Sequence, residues 1–209
     1  VMYFRKKCKI TFLCHGATIY SEEGRFSDLE NYPPLSDLGV SETENLINLL
    51  KARAVKNDVI YSSPSVRTLQ TAMMVAKAFK TEYKVVESLK TRACGTWNGQ
   101  TLSQVLEKYP DGIALPMEKP DKTAMAGAES TGDFIARVSR TIEELVEENI
   151  GNRVIIVTHP DVIQAAICGA LGIPASKLPN VYIRTGSATQ ISYFENWASL
   201  VYSDCVPMG

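Results

Sequence analysis

The sequence predicts an α/β fold, a three-layer α/β/α sandwich around a mostly parallel central sheet. Three observations carry that expectation. Short, β-branched apolar runs alternate along the chain with segments of helical spacing. Turn and cap residues punctuate the alternation. Hydrophobic residues are 45% and charged residues 22% of the chain, within the globular range and away from disordered, collagenous or membrane compositions. A length of 209 residues lets one domain bury a full core, so residues 1–209 are read as a single domain.

Taken in order, KITFLC (Lys9 to Cys14), DVIYS (Asp58 to Ser62), KVVESL (Lys84 to Leu89) and RVIIVT (Arg153 to Thr158) read as buried strands. Helical spacing covers Val40 to Ala54, Val66 to Phe79, Leu102 to Tyr109, Phe134 to Glu148 and Val162 to Leu171. Ser63 followed by Pro64 has the pattern of a helix start, and Gly172 followed by Pro174 that of a stop. SATQISYFE (Ser187 to Glu195) alternates and reads as a last strand at the sheet edge, before a short tail with Trp197 and Tyr202. The stretch 110–132, rich in Pro, Gly, Met and Ala and without periodicity, is either a pocket cover or a plain surface insertion.

A net charge of -1 offers no global attraction to nucleic acid or anionic lipid. The cluster Arg5, Lys6, Lys7 and Lys9 reads as a solvated lead-in to the first strand. Five cysteines, odd in number, scattered and without a CxxC pair, suggest neither a disulfide framework nor a zinc ribbon, and fit a reducing, cytoplasmic setting. No apolar stretch is long enough to span a bilayer and no secretory pattern is readable. Neither a nucleic acid nor a membrane partner is expected, and oligomeric state leaves no mark on the sequence.

The chain has two histidines, His15 and His159, and each directly follows a predicted central strand. In parallel α/β sheets ligands bind outside the carboxyl ends of the strands, so both imidazoles should emerge where such sites form. Arg67, in the first turn of a predicted helix, could add a guanidinium fork to free backbone N–H groups and bind a phosphate there, or it could simply be solvated.

Six landmarks then resemble, in order and spacing, those of the histidine phosphatase superfamily, the phosphoglycerate mutase-like proteins. They are LCHGAT (Leu13 to Thr18), PLSDLG (Pro34 to Gly39), SSPSVRTLQTA (Ser62 to Ala72), GTWNGQT (Gly95 to Thr101), AESTGDFIARV (Ala128 to Val138) and VTHPDVIQAAICGALG (Val157 to Gly172). The resemblance implies phosphoryl transfer without a cofactor or metal, through a phosphohistidine on His15. Arg67 and His159 match the family's second arginine and second histidine, which bind the phosphoryl group. The short segment between GTWNG and AES leans toward the phosphatase side of the family rather than the mutases.

The sequence also departs from the family pattern. Cys14 stands where the first phosphate-clamping arginine is expected, and Thr91 where the catalytic acid is expected. Ala17 and Pro160 also depart from the pattern. Arg92, Asp161 and Glu87 are the candidates to compensate, each with a competing reading as a surface charge or helix-terminal residue. A cysteine phosphatase cradle would need arginine where Tyr20 stands, and Cys14, His15, Cys94 and His159 lack familiar zinc spacing. Two functions stay open: a phosphomonoesterase with weak or altered activity, and an inactive pseudophosphatase that binds a phosphorylated metabolite or protein.

Overall fold

The computed structural model describes residues 6–110 and 127–207. The candidate cover at 110–132 falls largely on residues 111–126, which lie outside the described residues. One six-stranded sheet is built from β1 (Lys6–Cys14), β2 (Val59–Ser62), β3 (Tyr83–Val85), β4 (Arg153–Thr158), β5 (Ala188–Phe194) and β6 (Ala198–Cys205). Their order is β3-β2-β4-β1-β5-β6. The first four in that order run parallel, and β5 and β6 are antiparallel additions.

The helices are α1 (Ile19–Glu22), α2 (Asp37–Ala52), α3 (Val66–Phe79), α4 (Leu102–Lys108), α5 (Thr131–Glu148) and α6 (Pro160–Leu171). Strand periodicity separates two cores. Ile10, Phe12 and Cys14 of β1, with Val154 and Ile156 of β4, pack in the cluster that holds Phe134 of α5 and Ile163 of α6. Leu13, Ile155 and Val157 point the other way, into the cluster with Leu46 of α2 and Val75 of α3. Both faces of β1 and β4 are therefore covered, which is why their sequences read as continuous apolar runs.

Several boundaries differ from the sequence expectation. KVVESL is not one strand: β3 ends at Val85, and Glu87–Leu89 is a 3₁₀ turn. β2, the only partner of β3 among the described residues, ends at Ser62, whose carbonyl accepts from Val86 N at 2.9 Å, and the chain then turns to bury Leu89. SATQISYFE is not the edge, because the tail with Trp197 and Tyr202 contributes β6 beyond it. Helix α3 begins at Val66, where its spacing starts, but its cap residue is Ser65 and not Ser63, whose hydroxyl pairs with His159 Nε2. Gly172 does end α6, at φ 65°, the left-handed conformation that glycine adopts without a Cβ penalty.

Candidate active site

Parallel pairing of β1 with β4 sets Cys14 opposite Thr158. The next residue on each strand is a histidine, so the register itself delivers both imidazoles to one place. The His15 backbone N–H donates to the Thr158 carbonyl at 3.1 Å. The rings lie edge to face, with centroids 5.3 Å apart and planes 68° apart. Both are buried, with 5% and 1% of their surface exposed.

His15 Nδ1 stands 2.7 Å from the Gly16 carbonyl oxygen. A carbonyl only accepts, so Nδ1 carries the proton and Nε2 keeps the lone pair. Burial, reinforced by the nearby Arg67 charge, lowers the His15 pKa to about 3, against the weaker opposing pull of the Gly16 bond. The pKa of His159 is pushed well below its ordinary value by burial first, then by Arg67 and His15. Its Nε2 pairs with the Ser63 hydroxyl at 2.8 Å, with Ser65 Oγ further off at 3.4 Å.

The turn after His15 is held by backbone packing. A Cβ at Gly16 would lie 2.1 Å from the carbonyl oxygen of Gly39 in α2, and one at Gly39 would lie 2.0 Å from the Ala17 carbonyl oxygen. Gly16 N donates to Thr71 Oγ1 at 3.2 Å, and Ala17 N to Glu42 Oε2 at 2.8 Å. Glycine at both positions lets α2 sit against the turn, and side chains from α2 and α3 then fix its amides.

Arg67 is 2% exposed, so it is not a solvated surface residue. Its Nη1 donates to the Leu29 carbonyl at 3.0 Å and its Nη2 to the Ser27 carbonyl at 3.3 Å. Those bonds orient the guanidinium without neutralising it, and its charge acts on both imidazoles. Cys14 is fully buried and packs with Phe12 and Ile156. Burial above all, then the Asp161 charge, raises its pKa well above the ordinary thiol range. The pKa of Cys94, which lines a cavity with Thr91 and Asp161, is raised to about 12 by burial first and then by Asp28.

The three compensating candidates part company. Asp161, in the first turn of α6, accepts on Oδ2 from the Thr91 hydroxyl at 2.7 Å and from Arg92 N at 2.8 Å, and on Oδ1 from Val162 N at 2.9 Å. A carboxylate thus stands hydrogen-bonded to the residue at the expected acid position. The Arg92 guanidinium is tied to Thr131 Oγ1 at 2.9 Å rather than turned toward Cys14. Glu87 is exposed in the 3₁₀ turn after β3. Thr91, Arg92 and Asp161 line a cavity of about 480 Å³ whose other walls include Phe26, Trp97 and Phe134. Among the described residues no group of three or more His, Cys, Asp or Glu side chains is placed to hold a metal ion, and no helix is long and apolar enough to cross a membrane.

Sequence reasoning passed over Ser63, Thr71 and Glu42. Ser63 had a visible signal in SSPS, but it was read as a cap. Glu42 lies 25 residues from the amide it holds, and only the packing of α2 on the turn reveals it.

Comparisons with known proteins agree with this geometry. The family model described as histidine phosphatase superfamily (branch 1) matches residues 10–204. Phosphoserine phosphatase 1 of Hydrogenobacter thermophilus is 31% identical over 169 residues, covering 81% of this chain and 79% of that protein. The metal-independent phosphoserine phosphatase of Arabidopsis thaliana is 29% identical over 160 residues, 75% of this chain and 66% of that protein. Among solved structures, Mycobacterial hydrolase 1 superposes with a TM-score of 0.85 at 25% identity, covering 97% of this chain and 100% of that one.

Proposed function

The chain belongs to the histidine phosphatase superfamily, and on that premise we propose that it hydrolyses phosphomonoesters through a phosphohistidine on His15. The observation that carries the proposal is the His15 tautomer: Nδ1–H is spent on the Gly16 carbonyl, and burial keeps the ring neutral, so Nε2 is available as a nucleophile. Nε2 attacks phosphorus, the bond from phosphorus to the alcohol oxygen breaks, and the departing oxygen takes a proton. Water then attacks the phosphohistidine, the N–P bond breaks, and inorganic phosphate leaves with the imidazole restored.

Arg67 and His159 hold the phosphoryl oxygens in this scheme, where charge must be stabilised through both steps. Asp161, the carboxyl group bonded to Thr91 in the cavity wall, is assigned to give the leaving oxygen its proton and to take one back from the attacking water. Glu87, exposed on the 3₁₀ turn, has no part in it. The clamp remains one guanidinium short at Cys14, and loss of one such donor costs roughly 10²–10³ in rate. The expected enzyme is therefore slow, and best on esters with good leaving groups. Phosphatase relatives support a phosphorylated small molecule as substrate, with a phosphoprotein as the alternative. The five free cysteines support a reducing, cytoplasmic setting.

A second reading, a phosphate-binding protein without turnover, is favoured by the same two replacements at Cys14 and Thr91. Hydrolysis of 4-nitrophenyl phosphate by the native protein and by His15→Ala decides between them. Activity that disappears in His15→Ala, by at least about 10³-fold, supports the enzyme. Silence in both, with a melting temperature raised by phosphate, supports the binder.

A further inference from the structure

We infer that the cavity lined by Thr91, Pro160 and Asp161, the last two directly following His159 in the chain, is a leaving-group subsite for a bulky apolar or aromatic alcohol that also carries an anionic group, a class distinct from small amino-acid phosphates. The inference rests on the phosphoryl-transfer reading above, and three features of the cavity support it. The first is size: about 480 Å³ is well beyond the roughly 150 Å³ that accommodates a benzene ring, and within the range of ligand pockets. A serine-sized leaving group would leave most of that space to water.

The second is the lining. Phe26, Trp97, Phe134, Pro160 and Leu178 contribute walls from five separate parts of the chain. Phe26 and Trp97 are themselves packed together, with ring centroids 5.3 Å apart. An apolar body entering here exchanges water for the part-exposed surface of Phe26 and Pro160, backed by the buried rings of Trp97 and Phe134.

The third is charge. Asp161 in the wall is satisfied by the Thr91 hydroxyl and two backbone amides. Arg25, also in the wall, is paired with Glu23. Arg92 is different: one bond to Thr131 Oγ1 orients its guanidinium, and no carboxylate pairs with it among the described residues. A planar fork on an apolar wall, in no ion pair among the described residues, suits a carboxylate or second phosphate on the incoming alcohol.

The test uses binding as well as turnover, so that it does not depend on catalysis. Methylphosphonate, benzylphosphonate and 4-carboxybenzylphosphonate are titrated into the full chain by calorimetry, and kcat/KM is measured for ethyl, benzyl and 4-carboxybenzyl phosphates. Benzylphosphonate should bind at least about tenfold tighter than methylphosphonate. The added carboxylate should gain about tenfold more. Arg92→Met should collapse the carboxylate step, and Ala175→Phe, which narrows the cavity, should compress the benzyl-to-methyl ratio. Equal dissociation constants for the three phosphonates, or steps that survive both variants, overturn the inference. Hydrolysis of all three esters at equal kcat/KM keeps the phosphohistidine reading and sinks the subsite. Graded phosphonate binding without turnover does the reverse.

Discussion

The neutrality of His15 should be visible as a pH dependence of stability. Its pKa falls from 6.5 to about 3 on folding. Above pH 6.5 neither state binds the proton, and the folded protein keeps its full stability. As pH falls, the unfolded chain takes up the proton while the folded one refuses it until about pH 3, so stability is lost across that window. At about pH 5 the loss from this one residue is about 2 kcal/mol, a large part of a typical folding free energy. His159 shifts in the same direction and adds to it. Urea unfolding at about pH 7.5 and about pH 5, in a buffer without phosphate, measures the drop in the native protein and in His15→Asn. Asparagine can still donate to the Gly16 carbonyl but does not titrate. The drop should be smaller in the variant by about 2 kcal/mol, whatever the variant's absolute stability. Equal drops would refute the claim that a buried, neutral imidazole sits at this position.

Gly16→Ala should destabilise the fold by about 3 kcal/mol or more, because the new Cβ meets backbone that cannot swing aside; a calorimetric melt checks it. Ser63→Ala removes the shorter of the two bonds that orient His159 and should lower kcat by about ten- to a hundredfold at a stability cost near 1 kcal/mol. An unchanged kcat would show that His159 needs no such guide. Thr91→Glu brings a second carboxyl against Asp161, and mutual repulsion raises the pKa of one of them. The variant should gain up to about 10²-fold on alkyl phosphates and little on 4-nitrophenyl phosphate. A gain on neither ester would mean that proton donation does not limit the reaction.

The parts of the molecule legible in sequence were those fixed by short-range pattern. RVIIVT gave β4 to the residue because both of its faces are buried, and Val66–Phe79 emerged intact from its helical spacing. His15 and His159 were placed together because strand ends in a parallel sheet share an edge. What stayed hidden depends on partners far away in the chain. β6 is a mixed, half-exposed strand paired, among the described residues, to β5 alone, so its sequence lacks a clean alternation. The burial of Arg67 depends on carbonyls 38 and 40 residues away, in a loop without sequence periodicity. The bond between Thr91 and Asp161 spans 70 residues, so nothing local could distinguish Asp161 from an ordinary first-turn carboxylate.

A sulfur atom next to His15 has a consequence for chemical resilience. Peroxide and alkylating agents attack thiolates, and a thiol held protonated in a packed core reacts slowly with either. Cys14 and Cys94 both stay protonated at neutral pH. The catalytic atom proposed here is nitrogen, which those reagents leave alone under conditions that silence a thiolate enzyme. If the chain turns over phosphate esters through His15, that activity should persist through oxidative stress.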